Sequence, residues 1–143
     1  MGILADLFVA DPKDAITYEA LQLKGAITPD KFDRAEFKGL TDLEFGTLWA
    51  ILQNEEWNVK SHCLETISLE GQGETWLFRF PEPFLSRLSS LDSSEIGRAA
   101  KAWAATEELQ CEPSDIEPVI RELARLAKAA TRDGKGLYLW GSL

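Results

Sequence analysis

The stretch Asp115–Trp140, DIEPVIRELARLAKAATRDGKGLYLW, decides the fold. Ile116, Val119, Ile120, Leu123, Leu126, Ala127 and Ala130 recur at intervals of three and four, which keeps them on one stripe of a helix. With Asp115 as N-cap, Pro118 falls in the first turn, where its missing N–H would have had no partner. A helix of about eighteen residues spans about 27 Å, the width of a small domain. Asp133-Gly134 should close it, since glycine takes the left-handed C-cap conformation without steric cost. Leu137-Tyr138-Leu139-Trp140 then reads as a strand with bulky groups on both faces, which calls for cover on both sides.

Working outward, Leu7-Phe8-Val9-Ala10 reads as a first strand, and Asp11-Pro12 as the cap and first position of a helix to about Leu23. Lys24–Gly39 is irregular, broken by Gly25 and Pro29, with Phe32 and Phe37 pinning it to the body. Thr41 and Glu44 have capping-box spacing ahead of the stripe Phe45, Leu48, Trp49 and Leu52, a helix ending near Asn54. Leu64–Leu69 and Thr75–Phe80 form a hairpin around Gly71-Gln72-Gly73. Pairing Leu69 with Thr75 sets Ile67 against Leu77 and Glu65 against Arg79. Leu64, Thr66, Trp76, Phe78 and Phe80 share the other face, so the hairpin should be covered on both sides. Pro81-Glu82-Pro83 opens a short helix with Phe84, Leu85 and Leu88. Asp92 and Glu95 cap a longer one with the stripe Ile96, Ala99, Ala100 and Trp103. Its alanines leave it slender enough for the helix after Asp115 to approach closely. The expectation is one globular α+β domain over residues 1–143: a small mixed or antiparallel sheet, hairpin plus terminal strands, with about five to six helices.

At 143 residues and 45% hydrophobic content the chain can bury a core without disulfides or metal. Cys63 and Cys111 lie far apart and are expected as reduced thiols. No apolar run is long enough to span a membrane, and Met1–Asp6 lacks the basic and apolar regions of a secretory leader, so a cytoplasmic protein is expected. A net charge of -9 argues against binding nucleic acid. The charge is uneven: residues 1–75 hold 14 acidic and 6 basic side chains. That asymmetry suggests an acidic face suited to a basic protein partner.

Signals for chemistry are sparse. His62 is the one histidine, so no two-histidine metal motif exists, and it reads as a surface or loop-end residue. Gly71-Gln72-Gly73 leads into a strand and Gly134-Lys135-Gly136 follows a helix, so neither has the context of a phosphate-binding loop. No cofactor is expected. Trp57 lies in the polar loop Asn54–Lys60 without a stripe to join. Exposed, it would be an interface anchor beside Asp42, Glu55 and Glu56. Trp103 with Glu107 and Glu108 is the candidate pocket, where two carboxylates near an aromatic wall could do acid–base work. Arg121, Arg125, Lys128 and Arg132 on one flank of the long helix are the candidate anion-binding set.

The ends of the chain, Met1-Gly2 with Leu7-Phe8-Val9-Ala10-Asp11 and the close Gly134-Lys135-Gly136-Leu137-Tyr138-Leu139-Trp140, resemble YfbM-like bacterial domains of unknown function. The likeness covers roughly a third of the chain and carries no catalytic residues. It implies a bacterial protein, and a possible role as an immunity protein that neutralises a toxin. Three functional readings follow: a protein-binding module with an acidic face, a small-molecule-binding protein or carboxylate-dependent hydrolase, and a self-associating homo-oligomer.

Overall fold

The computed structural model describes residues 3–25, 32–70 and 73–143. Five strands, β1 (Leu4–Ala10), β2 (Arg34–Lys38), β3 (Glu65–Glu70), β4 (Thr75–Arg79) and β5 (Gly136–Ser142), form one antiparallel sheet ordered β2-β1-β5-β4-β3. Five helices complete the α+β fold: α1 (Pro12–Leu23), α2 (Asp42–Leu52), α3 (Glu82–Ser89), α4 (Ser93–Ala104) and α5 (Pro113–Asp133). Among the described residues no helix is long and apolar enough to cross a membrane.

The period-2 alternation of the strands divides the core. Ala5, Leu7, Val9, Phe78, Leu137 and Leu139 face the larger cluster, which α2, α3, α4 and α5 fill. Phe8, Ala10, Leu77, Tyr138 and Trp140 face the smaller one, which α1 covers with Ala15 and Tyr18. Both faces of β5 are therefore buried, as its doubly bulky sequence requires. Phe8 and Tyr18 stack at 3.9 Å between ring centroids, with Phe32 edge-on to both. Such a stacked pair contributes about 0.5–1.5 kcal/mol beyond the area it buries.

Helix boundaries follow their caps. Asp11 accepts from the Asp14 N–H at 2.8 Å, and Asp92 with Glu95 makes the full reciprocal capping box. At α2 the Thr41 hydroxyl instead meets the Glu44 carboxylate at 2.5 Å while its oxygen accepts from Leu43 N–H, so the expected box closes through side chains. Helix α5 begins at Pro113, with Glu112 as N-cap in place of Asp115. Proline's fixed φ suits the first helical position. The earlier start leaves Pro118 inside the helix, where it forgoes one bond. Gly134 ends α5 at φ 66°, the left-handed cap that its sequence implies.

Two strand assignments change. Arg34–Lys38, expected as irregular, is edge strand β2, with Ala35 and Phe37 packed on the larger core and charged residues between them. The hairpin pairs Glu65 with Arg79 as expected. A bulge between Thr66 and Ser68 then sets Ser68 opposite Leu77, Leu69 opposite Trp76 and Glu70 opposite Thr75. The extra residue leaves Ile67 and Leu69 on the exposed edge strand, so only β4 of the hairpin is covered on both faces. The break at Pro29, the loop residues Gly71 and Gln72, and Met1-Gly2 lie outside the described residues.

Candidate functional site

The segment after α2 doubles back on the helix and presents Trp57. Asn54 turns the chain with φ 55°, a left-handed conformation that asparagine tolerates, and Glu55 N–H returns to the Ala50 carbonyl. Asn58 then organises the loop. Its side-chain oxygen accepts from Lys60 and Ser61 N–H, its carbonyl accepts from His62 N–H, and its own N–H donates to His62 Nδ1 at 3.0 Å. Accepting at Nδ1 places the imidazole proton on Nε2, which faces Glu55 Oε1 at 3.3 Å. His62 stands at the loop end, one of the two places expected for it, but is 5% exposed and edge-on to Trp49, a buried loop fastener and not a surface residue. Its burial follows from Gly46. A Cβ there would lie 2.3 Å from the His62 carbonyl oxygen and 3.4 Å from Trp57 Nε1, so only glycine lets the loop settle on α2.

Trp57 is thereby 47% exposed on a braced loop, with Val59 and Leu43 also exposed. Leu43 precedes Gly46 by three residues and Asp42 by four, which puts both one turn from the indole's seat. Thr47, next to Gly46, holds its hydroxyl 3.4 Å from Glu108 Oε1. Asp42 thus shares the helix face that seats Trp57, whereas Glu108 meets α2 on the neighbouring flank, at Thr47. Burial raises the Asp42 carboxyl above its ordinary pKa, opposed by backbone hydrogen bonds at the helix start. Glu55 is occupied by His62, and Glu56 is exposed beside Trp57.

The other candidates are placed differently. Trp103 is fully buried and spends its indole N–H on the Glu44 carbonyl at 3.0 Å, so it forms no cleft wall. Glu107 and Glu108 are exposed beyond the end of α4. Arg121, Arg125 and Lys128 share a groove between α5 and the start of α4 with Asp92 and Ser93. Arg125 is taken up by Asp33 at 2.7 Å and Glu122 at 2.5 Å, and Arg121 by Glu117 at 3.6 Å. Arg132 pairs with Asp133 at the far end of the helix. Cys63 and Cys111 are free thiols. Among the described residues no group of three or more histidine, cysteine or acidic side chains is placed to hold a metal ion.

Comparison with protein-family models, with curated proteins and with solved structures found no match.

The sequence missed one polar cluster under α1. Asp6, 7% exposed, accepts the Tyr18 hydroxyl at 2.7 Å, and Glu19, 6% exposed, accepts from Ser68. Burial is the main cause that lifts the Asp6 carboxyl above its usual pKa, and burial followed by the Asp6 hydrogen bond lifts the Tyr18 phenol. An acid inside the apolar run Leu4–Ala10 was the available signal.

Proposed function

We propose that this protein acts by binding another protein through the face centred on Trp57, and that the partner presents basic groups. The observation that carries this reading is a half-exposed tryptophan seated on Gly46 and held by a loop fastened at both ends. Tryptophan delivers large contact area at little entropic cost, and a braced one has already lost its freedom before binding. Tryptophan is also among the residues enriched at binding hot spots. Asp42, one turn from the seat on α2, and Glu56, next to Trp57 in the chain, supply acidic groups, and the net charge of -9 would steer a cationic partner. The resemblance of the chain's ends to YfbM-like domains suggests one form of this activity, immunity-type neutralisation of a toxin in the bacterial cytoplasm.

The test is capture from a bacterial lysate on immobilised protein, comparing the wild type with Trp57→Ala and with Asp42→Lys/Glu56→Lys. A basic protein held by the wild type, released by salt and lost from both variants is the expected result. Truncating a central aromatic anchor typically weakens binding about 30-fold or more. Equal capture by all three proteins overturns the reading.

A further inference from the structure

Helix α1 carries a second apolar stripe that no described residue covers. Ile16, Ala20 and Leu23 recur at intervals of four and three, and all three are exposed. Lys13 and Lys24 lie about three helical turns apart, so they stand on the same side as the stripe, one near each end. Both are exposed, and neither makes an ion pair among the described residues. The acids of α1 are turned elsewhere: Glu19 is buried against Ser68, and Asp14 is half-buried. A chain of net charge -9 thus shows a face that is apolar and basic. The Trp57 face is its complement, with Trp57, Leu43 and Val59 as exposed apolar groups and Asp42 and Glu56 as the charges. The two faces cannot meet within one molecule, because α1 packs on one side of the sheet and α2 on the other.

We infer that the α1 face of one copy docks on the Trp57 face of the next, so that a second copy of this chain is a partner of that face. The inference rests on the reading of Trp57 as a binding anchor. Charge sign selects this occupant. Apolar surface meets apolar surface while Lys13 and Lys24 come to the side of Asp42 and Glu56, each patch supplying the sign that the other lacks. A lipid surface fits α1 less well. Two large apolar side chains on a twelve-residue helix insert little, and anionic headgroups repel a chain of net charge -9. Because the contact joins two different patches, it leaves one of each unused at the ends and extends into open chains or closes into a ring. Long-range repulsion between copies of charge -9 keeps it weak, with a Kd of about 10 μM to 1 mM expected.

Sedimentation equilibrium of the purified chain up to about 2 mM tests it. The average mass of the wild type should rise with concentration. Lys13→Glu/Lys24→Glu, at exposed positions that leave the core untouched, and Trp57→Ala should each move that rise to concentrations at least about tenfold higher. An equimolar mixture of the two variants should form a one-to-one heterodimer and stop there, since the first keeps the Trp57 face and the second keeps α1. A wild type that is monomeric throughout, an unchanged rise in either variant, or a mixture without heterodimer overturns the proposal. Flotation of a monomeric wild type with phosphatidylglycerol vesicles overturns it as well and gives α1 to a lipid surface. Capture from lysate separates this contact from the reading it rests on. A monomeric wild type that still loses its captured protein on Trp57→Ala removes the head-to-tail contact alone.

Discussion

Gly46 is the seat of Trp57: a Cβ at residue 46 would come within 3.4 Å of the indole nitrogen while colliding with the His62 carbonyl at 2.3 Å. Gly46→Ala must therefore lift the loop from α2. Alanine gains up to about 1 kcal/mol of helix propensity, but overpacking against backbone typically costs about 1–3 kcal/mol. Net destabilisation in urea is expected, together with a blue-to-red shift of Trp57 emission as the indole leaves its seat. A more stable Gly46→Ala protein would show that the loop yields freely.

Trp57→Ala, by contrast, should cost about 1–2 kcal/mol, since only about half of the indole is buried on its Gly46 seat. A modest folding cost beside a complete loss of partner capture separates a binding role from a structural one. Chemical denaturation of the variant measures the first half of that statement directly.

His62→Ala should cost about 1–3 kcal/mol, because the Asn58 N–H loses its acceptor in a site that water does not fill as well. Amide exchange over residues 55–62 should speed up while the sheet amides keep their protection. Uniform acceleration through the whole chain would mean that the loop is not a separate unit.

Asp6→Asn isolates a pH effect. The groups facing Asp6 are Tyr18 from α1, Arg34 and Glu36 from β2, and Trp140 across the sheet. Burial dominates and raises the folded carboxyl above the unfolded one, so the folded state holds its proton to higher pH. Stability is then intact below the unfolded pKa and falls as pH rises through the folded pKa. Asparagine has no such loss. The melting temperature of Asp6→Asn relative to wild type should climb from pH 3 to pH 7. Parallel profiles would contradict the burial cost.

Gly141→Ala probes the central seam. Residue 141 is paired with Trp76, whose Nε1 and Cε2 would lie 2.0 and 2.5 Å from a new methyl group. The Nε1–Cε2–Cζ2 edge of the indole occupies the space beside the glycine, and displacing it should cost about 1–3 kcal/mol. The double variant Gly141→Ala/Trp76→Leu should recover part of that loss, a coupling that a double-mutant cycle in urea would read.

Much of this architecture was legible because burial patterns are written in periodicity. The α5 stripe, the Asp92–Glu95 box and the two-faced β5 all carry strong signals of that kind. Strand β2 did not, since five residues with three charges offer a short alternation and an edge position asks for little apolar content. The bulge at Thr66–Ser68 leaves no compositional trace. At the site, Trp57 stood out as a tryptophan without a stripe, whereas its seat did not. The signal was there in Gly46, a glycine mid-helix, where its propensity cost demands a packing reason. Trp103 misled because proximity in sequence to Glu107 and Glu108 says nothing of direction once α4 ends at Ala104.

Strand β5 comes last in chain order and third in the sheet. A growing polypeptide must therefore carry two half-sheets, β2 with β1 and β3 with β4, until the piece that joins them is made. During that interval the inner edges of β1 and β4 are open backbone ladders, each a template for the wrong neighbour. Closing the sheet also means gathering residues separated by well over half the chain, a slow kind of contact. Synthesis of this protein thus has a vulnerable window whose length is set by translation past Gly136, and holdase chaperones are the factors suited to guard it.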